Sequence, residues 1–174
     1  YLNDNKLTSV PAEIGQLTSL VMLDLRYNRL TSMPAEIGQL TALTELWLSE
    51  NQLTTLPAEI GLLTSLRGLR LYNNQLTSVP AEIGQLTSLT YLHLQGNLLT
   101  SLPAENGHTR LPVEIGQLTS LQGLWLNDNP LTRVPAETGQ RRSLAYLGLG
   151  GHQLTNVPGV RCEDRTCRWL HPCH

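Results

Sequence analysis

The stretch "LTSVPAEIGQLTSL" at residues 7–20 returns letter for letter at residues 76–89, and near-copies fill the gap between them. Aligned on the first Leu of a Leu-x-Leu pair, the units begin at Leu23, Leu46, Leu69, Leu92, Leu124 and Leu147, 23 residues apart except for one unit of 32. A period of this size constrains the fold more than any composition can. A unit that short cannot bury its own leucines, whereas stacked units share one continuous core and generate a solenoid. Extrapolated backwards, the first unit begins one residue before Tyr1, so the chain opens inside a repeat and is expected to be a fragment that lacks earlier repeats or a cap.

The consensus is L-x-L-x-x-N-x-L-T-x-x-P-A-E-I-G-Q-L-T-x-L-x-x. In "LDLRYN" leucines alternate with polar residues, the period of a strand. Pro34, Ala35 and Glu36 then read as a first helical turn, with Pro preorganised for it and Glu at the positive end of the peptide dipoles. Ile37, Leu40 and Leu43 follow at a spacing of three, an apolar stripe on a short helix or 3₁₀ turn. Asn5, Asn28, Asn51, Asn74, Asn97 and Asn129 recur at one position, where an inward amide has donors and an acceptor for the backbone of adjacent coils. The α/β architecture that follows is a solenoid with a curved parallel sheet on one side and short helices or 3₁₀ turns on the other.

These units resemble leucine-rich repeats. "LDLRYNRLTSMPAEIGQLTAL" and "LWLSENQLTTLPAEIGLLTSL" match the L-x-x-L-x-L-x-x-N-x-L core pattern, and the likeness spans residues 1–157 in about seven units, the first and last incomplete. The 23-residue length with "LPxxIxxLxxL" is similar to the intracellular subclass, that of plant Ras-group-related and Scribble-like repeats. That resemblance implies a horseshoe with a concave sheet and a cytoplasmic setting, although a chain that starts within a repeat is also compatible with a lost signal peptide.

The stack is irregular in three places. The 32-residue unit carries Leu-Pro-Ala-Glu at 102–105 and Leu-Pro-Val-Glu at 111–114, so nine residues near 102–110 are inserted, either as a contact loop or as a tolerated duplication. In "AETGQRRSL" Thr138 stands for Ile and Arg141 for Leu, which reads as erosion near the end of the stack or as a basic patch with Arg133 and Arg142. Residues 158–174 leave the repeat as a C-terminal cap or tail. There Cys162, Cys167, His171, Cys173 and His174 leave a disulfide, a zinc site and free thiols open, without the spacing of any zinc motif.

What varies between copies is the strand. Every Tyr in the chain and two of its three Trp residues fall at positions expected to point outward from the sheet. Exposed Trp, Tyr and Arg are the residue types that carry interface energy. The candidate partner-binding residues are therefore Met22, Asp24, Arg26, Tyr27, Glu45, Trp47, Glu50, Arg70, Tyr72, Tyr91, His93, Gln95, Trp125, Asn127, Asp128 and Tyr146.

The function expected is recognition of a protein or peptide on the concave face. Alternatives are the recognition segment of a larger signalling enzyme, or ice or glycan binding through the Thr column that includes Thr8, Thr31, Thr54 and Thr77. A net charge of −2 argues against nucleic acid, and no apolar run is long enough to span a bilayer. No phosphate loop, dinucleotide fingerprint or nucleophile elbow is present, so no catalysis, metal or cofactor is expected.

Overall fold

The computed structural model describes residues 1–100, 111–140, 143–151, 160–163 and 166–169. Strands β1 (Met22–Asp24), β2 (Glu45–Trp47), β3 (Gly68–Arg70), β4 (Tyr91–His93), β5 (Gly123–Trp125) and β6 (Tyr146–Gly148) form one parallel sheet in chain order. Leu23, Leu46, Leu69, Leu92, Leu124 and Leu147 are direct partners along it. The expected horseshoe-type solenoid is present, with 3₁₀ helices at Ala12–Gln16, Ala35–Gln39, Ala58–Leu62, Ala81–Gln85, Val113–Gln117 and Ala136–Gln140 on the convex side.

Each 3₁₀ turn starts where a proline restricts the backbone. Pro34 and Pro57 sit at φ −71° and −68°, and the carbonyl of Pro34 accepts the Ile37 N–H at 3.1 Å. The turn aims its Ile and the following leucines inward, so that Ile37, Leu40, Leu43, Leu46, Leu48 and Leu53 are fully buried. Glycine in the same turn sets how closely coils approach. A Cβ on Gly61 would lie 2.6 Å from the Glu82 carbonyl oxygen of the next coil, so a larger residue there would push the coils apart.

The asparagines hold the turns that follow the strands. Asn51 accepts the Leu30 N–H of the preceding coil at 3.0 Å and donates to the carbonyls of Leu25 and Leu48, each at 3.0 Å. Asn74 repeats this with Leu53 N–H, Leu48 and Leu71. Each of these leucine carbonyls thus accepts from two successive amides: Leu48 from Asn51 and Asn74, and Leu71 from Asn74 and Asn97. The ladder continues across the long unit, where Asn129 accepts from Leu99 N–H at 3.1 Å and donates to Leu94 at 2.9 Å. The insertion itself lies outside the described residues, but Leu99 and Leu111 on either side of it are buried and β4 pairs with β5 in register.

Beyond β6, strands β7 (Val160–Glu163) and β8 (Thr166–Trp169) pair antiparallel, with Cys162 opposite Cys167. His171, Cys173 and His174, named as possible metal ligands, lie outside the described residues, as do Arg141 and Arg142 of the possible basic patch. Thr138 does occupy the inward Ile position: it is 4% exposed and its hydroxyl has no hydrogen-bond partner.

Two stability measurements check these assignments. Asn74→Ala removes the partner of the buried Leu53 N–H and one of the two donors to each of the Leu48 and Leu71 carbonyls, and is expected to lower unfolding free energy by about 2 kcal/mol in urea denaturation. Thr138→Ile replaces an unpaired buried hydroxyl by apolar volume and is expected to raise stability by about 1 kcal/mol, read as a melting temperature a few degrees higher.

Candidate functional site

Strand register assembles the varied residues into rows across the sheet. One row runs Asp24, Trp47, Arg70, His93, Trp125 and Gly148. The row before it runs Met22, Glu45, Gly68, Tyr91, Gly123 and Tyr146. Arg26, Tyr72, Gln95 and Asn127 lie one step beyond the strands and are half-buried. Tyr27, Glu50 and Asp128 occupy the residue before the ladder Asn, where the backbone is left-handed with φ of 55°, 56° and 55°. Asp4, Asn73, Gly96 and Gly151 adopt positive φ at the same position. Side chains there are presented on a turn rather than on a strand, at an energetic cost that Gly96 and Gly151 avoid.

The N-terminal half of the face is built around Trp47. The Arg26 and Arg70 guanidinium carbons lie 4.5 Å and 4.2 Å from its ring centroid, a double cation–π arrangement. Its indole N–H donates to Glu45 Oε2 at 2.8 Å. Glu45 has room for this because its partner on β3 is Gly68, whose missing Cβ leaves the space that the carboxylate fills.

Asp24 departs from the expectation that this row faces solvent: it is 1% exposed. Arg26 folds back over it and donates through Nε to Oδ1 at 2.9 Å and through Nη2 to Oδ2 at 2.7 Å. The Asp24 carboxyl is held below its ordinary range, chiefly by those Arg26 hydrogen bonds acting against burial, and Arg26 is pushed up in turn. Asp24 is therefore a support for Arg26 and contributes no exposed surface of its own. Ser49, at the position in its coil that Arg26 holds in the coil before, is likewise fully buried.

The C-terminal half is aromatic. The His93 and Trp125 rings stack at 4.0 Å with planes 2° apart. Tyr146 lies 6.5 Å from Trp125 at 11°, and Tyr91 lies 6.2 Å away at 43°. Gly123 makes this possible. A Cβ there would collide with the outer edge of the Trp125 ring, which reaches over Gly123 between the Tyr91 and Tyr146 that flank Gly123 in register. Burial and then the charge of Arg70 lower the His93 pKa below its ordinary value, which keeps the imidazole neutral near pH 7. Tyr91 and Tyr146 remain exposed at 42% and 64%. The role of Gly68 and Gly123 was not apparent from the sequence. Its only signal is that each alternates with a bulky residue in the same column.

Among the described residues no group of three or more His, Cys, Asp or Glu could hold a metal ion, and no helix is long and apolar enough to cross a membrane. The arrangement offers aromatic faces, one paired and one unpaired guanidinium, and flanking carboxylates, which is the chemistry of a contact surface.

The sequence profile of the leucine-rich repeat region matches residues 1–100. The chain belongs to the leucine-rich repeat family. No curated protein matches it. Among solved structures, this leucine-rich repeat chain is similar to a leucine-rich repeat protein of Leptospira interrogans, with 39% identity, a TM-score of 0.68, and coverage of 91% of this chain and 44% of that one. It is also similar to the ectodomain of the plant membrane receptor kinase GASSHO1/SCHENGEN3 from Arabidopsis thaliana in complex with Casparian strip integrity factor 2, at 38% identity and TM-score 0.76, covering 89% of this chain and 18% of that one. A third is the plant peptide hormone receptor RGFR1 in complex with RGF2, at 27% identity and TM-score 0.65, covering 87% of this chain and 28% of that one. The chain spans less than half the length of each of these proteins.

The receptor matches overturn two sequence-based expectations: membership of the intracellular, Ras-group-related or Scribble-like subclass, and the cytoplasmic setting that went with it. The reason is physical. Repeat length and the Leu-Pro-x-x-Ile spacing specify how a coil closes and stacks, and a coil stacks in the same way on either side of a membrane.

The Asp24–Arg26 pair yields a pH-dependent test. A carboxyl with a lowered folded-state pKa contributes stability above its unfolded value, near 3.8, and loses that contribution as pH falls through the folded value. Asp24→Asn is expected to be less stable than wild type by about 2 kcal/mol at pH 7, and the deficit should shrink towards pH 2 in urea titrations at both pH values.

Proposed function

We propose that this chain is an extracellular recognition module that binds a protein or peptide partner across the concave face of its repeat sheet, without catalysis. The observation that carries the reading is the aromatic cluster of Tyr91, Trp125 and Tyr146, with Trp47 in the same register row as Trp125, on strands whose inward residues are the shared leucines. Burial in the core does not account for exposed tyrosines at these positions, whereas an interface does. The GASSHO1/SCHENGEN3 ectodomain in complex with Casparian strip integrity factor 2 and the peptide hormone receptor RGFR1 in complex with RGF2 support the same use of the fold. The six strands span on the order of 25 Å at ~4.8 Å each, room for a peptide of several residues or a folded partner. The GASSHO1/SCHENGEN3 match also favours a role as the recognition segment of a longer signalling protein, because that ectodomain is part of a receptor kinase.

Selection of a displayed random peptide library on the immobilised chain tests this reading. Clones enriched on wild type are expected to bind at least about thirtyfold more weakly to the Trp47→Ala, Trp125→Ala double variant, as for interface hot spots. They should bind unchanged to Gln39→Ala on the convex side. Clones indifferent to both Trp substitutions would sink the proposal.

A further inference from the structure

The two halves of the concave face differ in what they leave unsatisfied. In the first half the Arg26 charge is neutralised by Asp24 through two side-chain hydrogen bonds. Arg70 has no such partner: among the described residues no carboxylate pairs with it, and one face of its guanidinium rests on Trp47 at 4.2 Å. Stacking uses the flat face of a guanidinium and leaves the N–H groups around its edge free to donate, in a fork that matches a carboxylate. The second half presents an aromatic stack: one face of the Trp125 ring lies on His93 at 4.0 Å, the ring's outer edge reaches over Gly123, and Tyr146 stands 6.5 Å away with its plane 11° from that of Trp125. It is an apolar shelf that carries no charge.

Arg70 and Trp125 are in the same register row, separated by the single strand that carries His93. Two strand spacings are about 10 Å, and because the Arg70 guanidinium leans towards β2 the separation extends towards about 14 Å. An extended peptide running along the row advances ~3.3 Å per residue, so three or four residues span the gap. Electrostatics limits the ligand to one negative group. Glu45 and Glu50 lie on the N-terminal side of Arg70 and Asp128 on the turn beyond β5, so a polyanion would be repelled on both sides while a single carboxylate meets the guanidinium.

We infer that the concave face reads a short extended peptide with one acidic side chain three or four residues from a large aromatic or apolar one, the carboxylate on Arg70 and the apolar group on the Trp125 shelf. The inference rests on the reading of this face as a binding surface and adds the chemistry of what binds.

The test uses labelled synthetic peptides of Gly and Ser containing one Glu and one Trp at separations from two to eight positions, each with a Gln-for-Glu counterpart. Fluorescence polarisation is measured against wild type, Arg70→Gln, Arg70→Lys and Trp125→Ala, each confirmed folded by its melting curve. Affinity is expected to peak at separations of three and four. Replacing Glu by Gln should weaken binding about tenfold, Arg70→Gln should do the same, and the Gln peptides should not distinguish Arg70→Gln from wild type. Arg70→Lys should be intermediate, because it keeps the charge and loses the planar fork. Glu and Gln peptides binding alike, no preference for separation, or no binding at any separation would each overturn the inference. A peptide that ignores charge but loses affinity in Trp125→Ala overturns this inference alone and leaves the concave face standing as a binding surface.

Discussion

Everything on the concave face depends on a buried amide. At the end of each strand the chain turns sharply inward, and the carbonyls of Leu25, Leu48, Leu71 and Leu94 are left without a sheet partner. Successive asparagines close them in pairs and take one backbone N–H from the preceding coil. An unpaired polar group in this dry core costs about 1–3 kcal/mol, so a coil lacking its Asn is penalised at several atoms at once. The side chain also ties each coil to the one before it. Ladder and leucine core therefore fix the same coil-to-coil register, and that register aligns Asp24, Trp47, Arg70, His93 and Trp125 into one row.

Because the frame is specified by residues that point inward, the outward positions are free to differ, and they differ in a coupled way. A bulky side chain uses the space its neighbour leaves: the edge of the Trp125 ring reaches over Gly123, and the Glu45 carboxylate over Gly68. The glycines of the variable strands thus shape the outward face as much as the aromatics do, since they leave the space that a neighbouring side chain occupies. The charges are arranged in the same spirit. Asp24 is sunk beneath Arg26 and pins it on Trp47, while Arg70 stacks on that same ring with its edge donors free.

Much of this was legible in the sequence for a simple reason. A residue whose neighbours are copies of itself has an environment that can be deduced from the repeat: the inward Leu and Ile, the turn-closing Asn and the Pro at each 3₁₀ start all follow from position within the unit. The insertion near 102–110 did not disturb that logic, as Asn129 still reaches Leu99 and Leu94. Where the reading failed, the missing information was not periodic. Asp24 read as an exposed contact because its position in the unit is outward, yet its burial comes from the conformation of one neighbouring Arg. The cytoplasmic setting was drawn from repeat length, which encodes coil geometry and carries no information about compartment.

The sequence by itself determined the solenoid, the order and register of its strands, the leucine-lined inward face of each coil, and the set of residues that vary from coil to coil. Those follow from a 23-residue period and from the need to bury leucines and pair backbone polar groups. Only the tertiary structure decided how that set is used: that Trp47 is held between two guanidinium groups, that Asp24 supports rather than contacts, and that His93, Trp125 and Tyr146 join into one shelf. Apart from the Asp24–Arg26 pair, these are contacts between side chains from different coils, 21 or more residues apart in sequence. Their rotamers are set by the space each neighbour leaves, a property of the packed sheet that no single repeat contains.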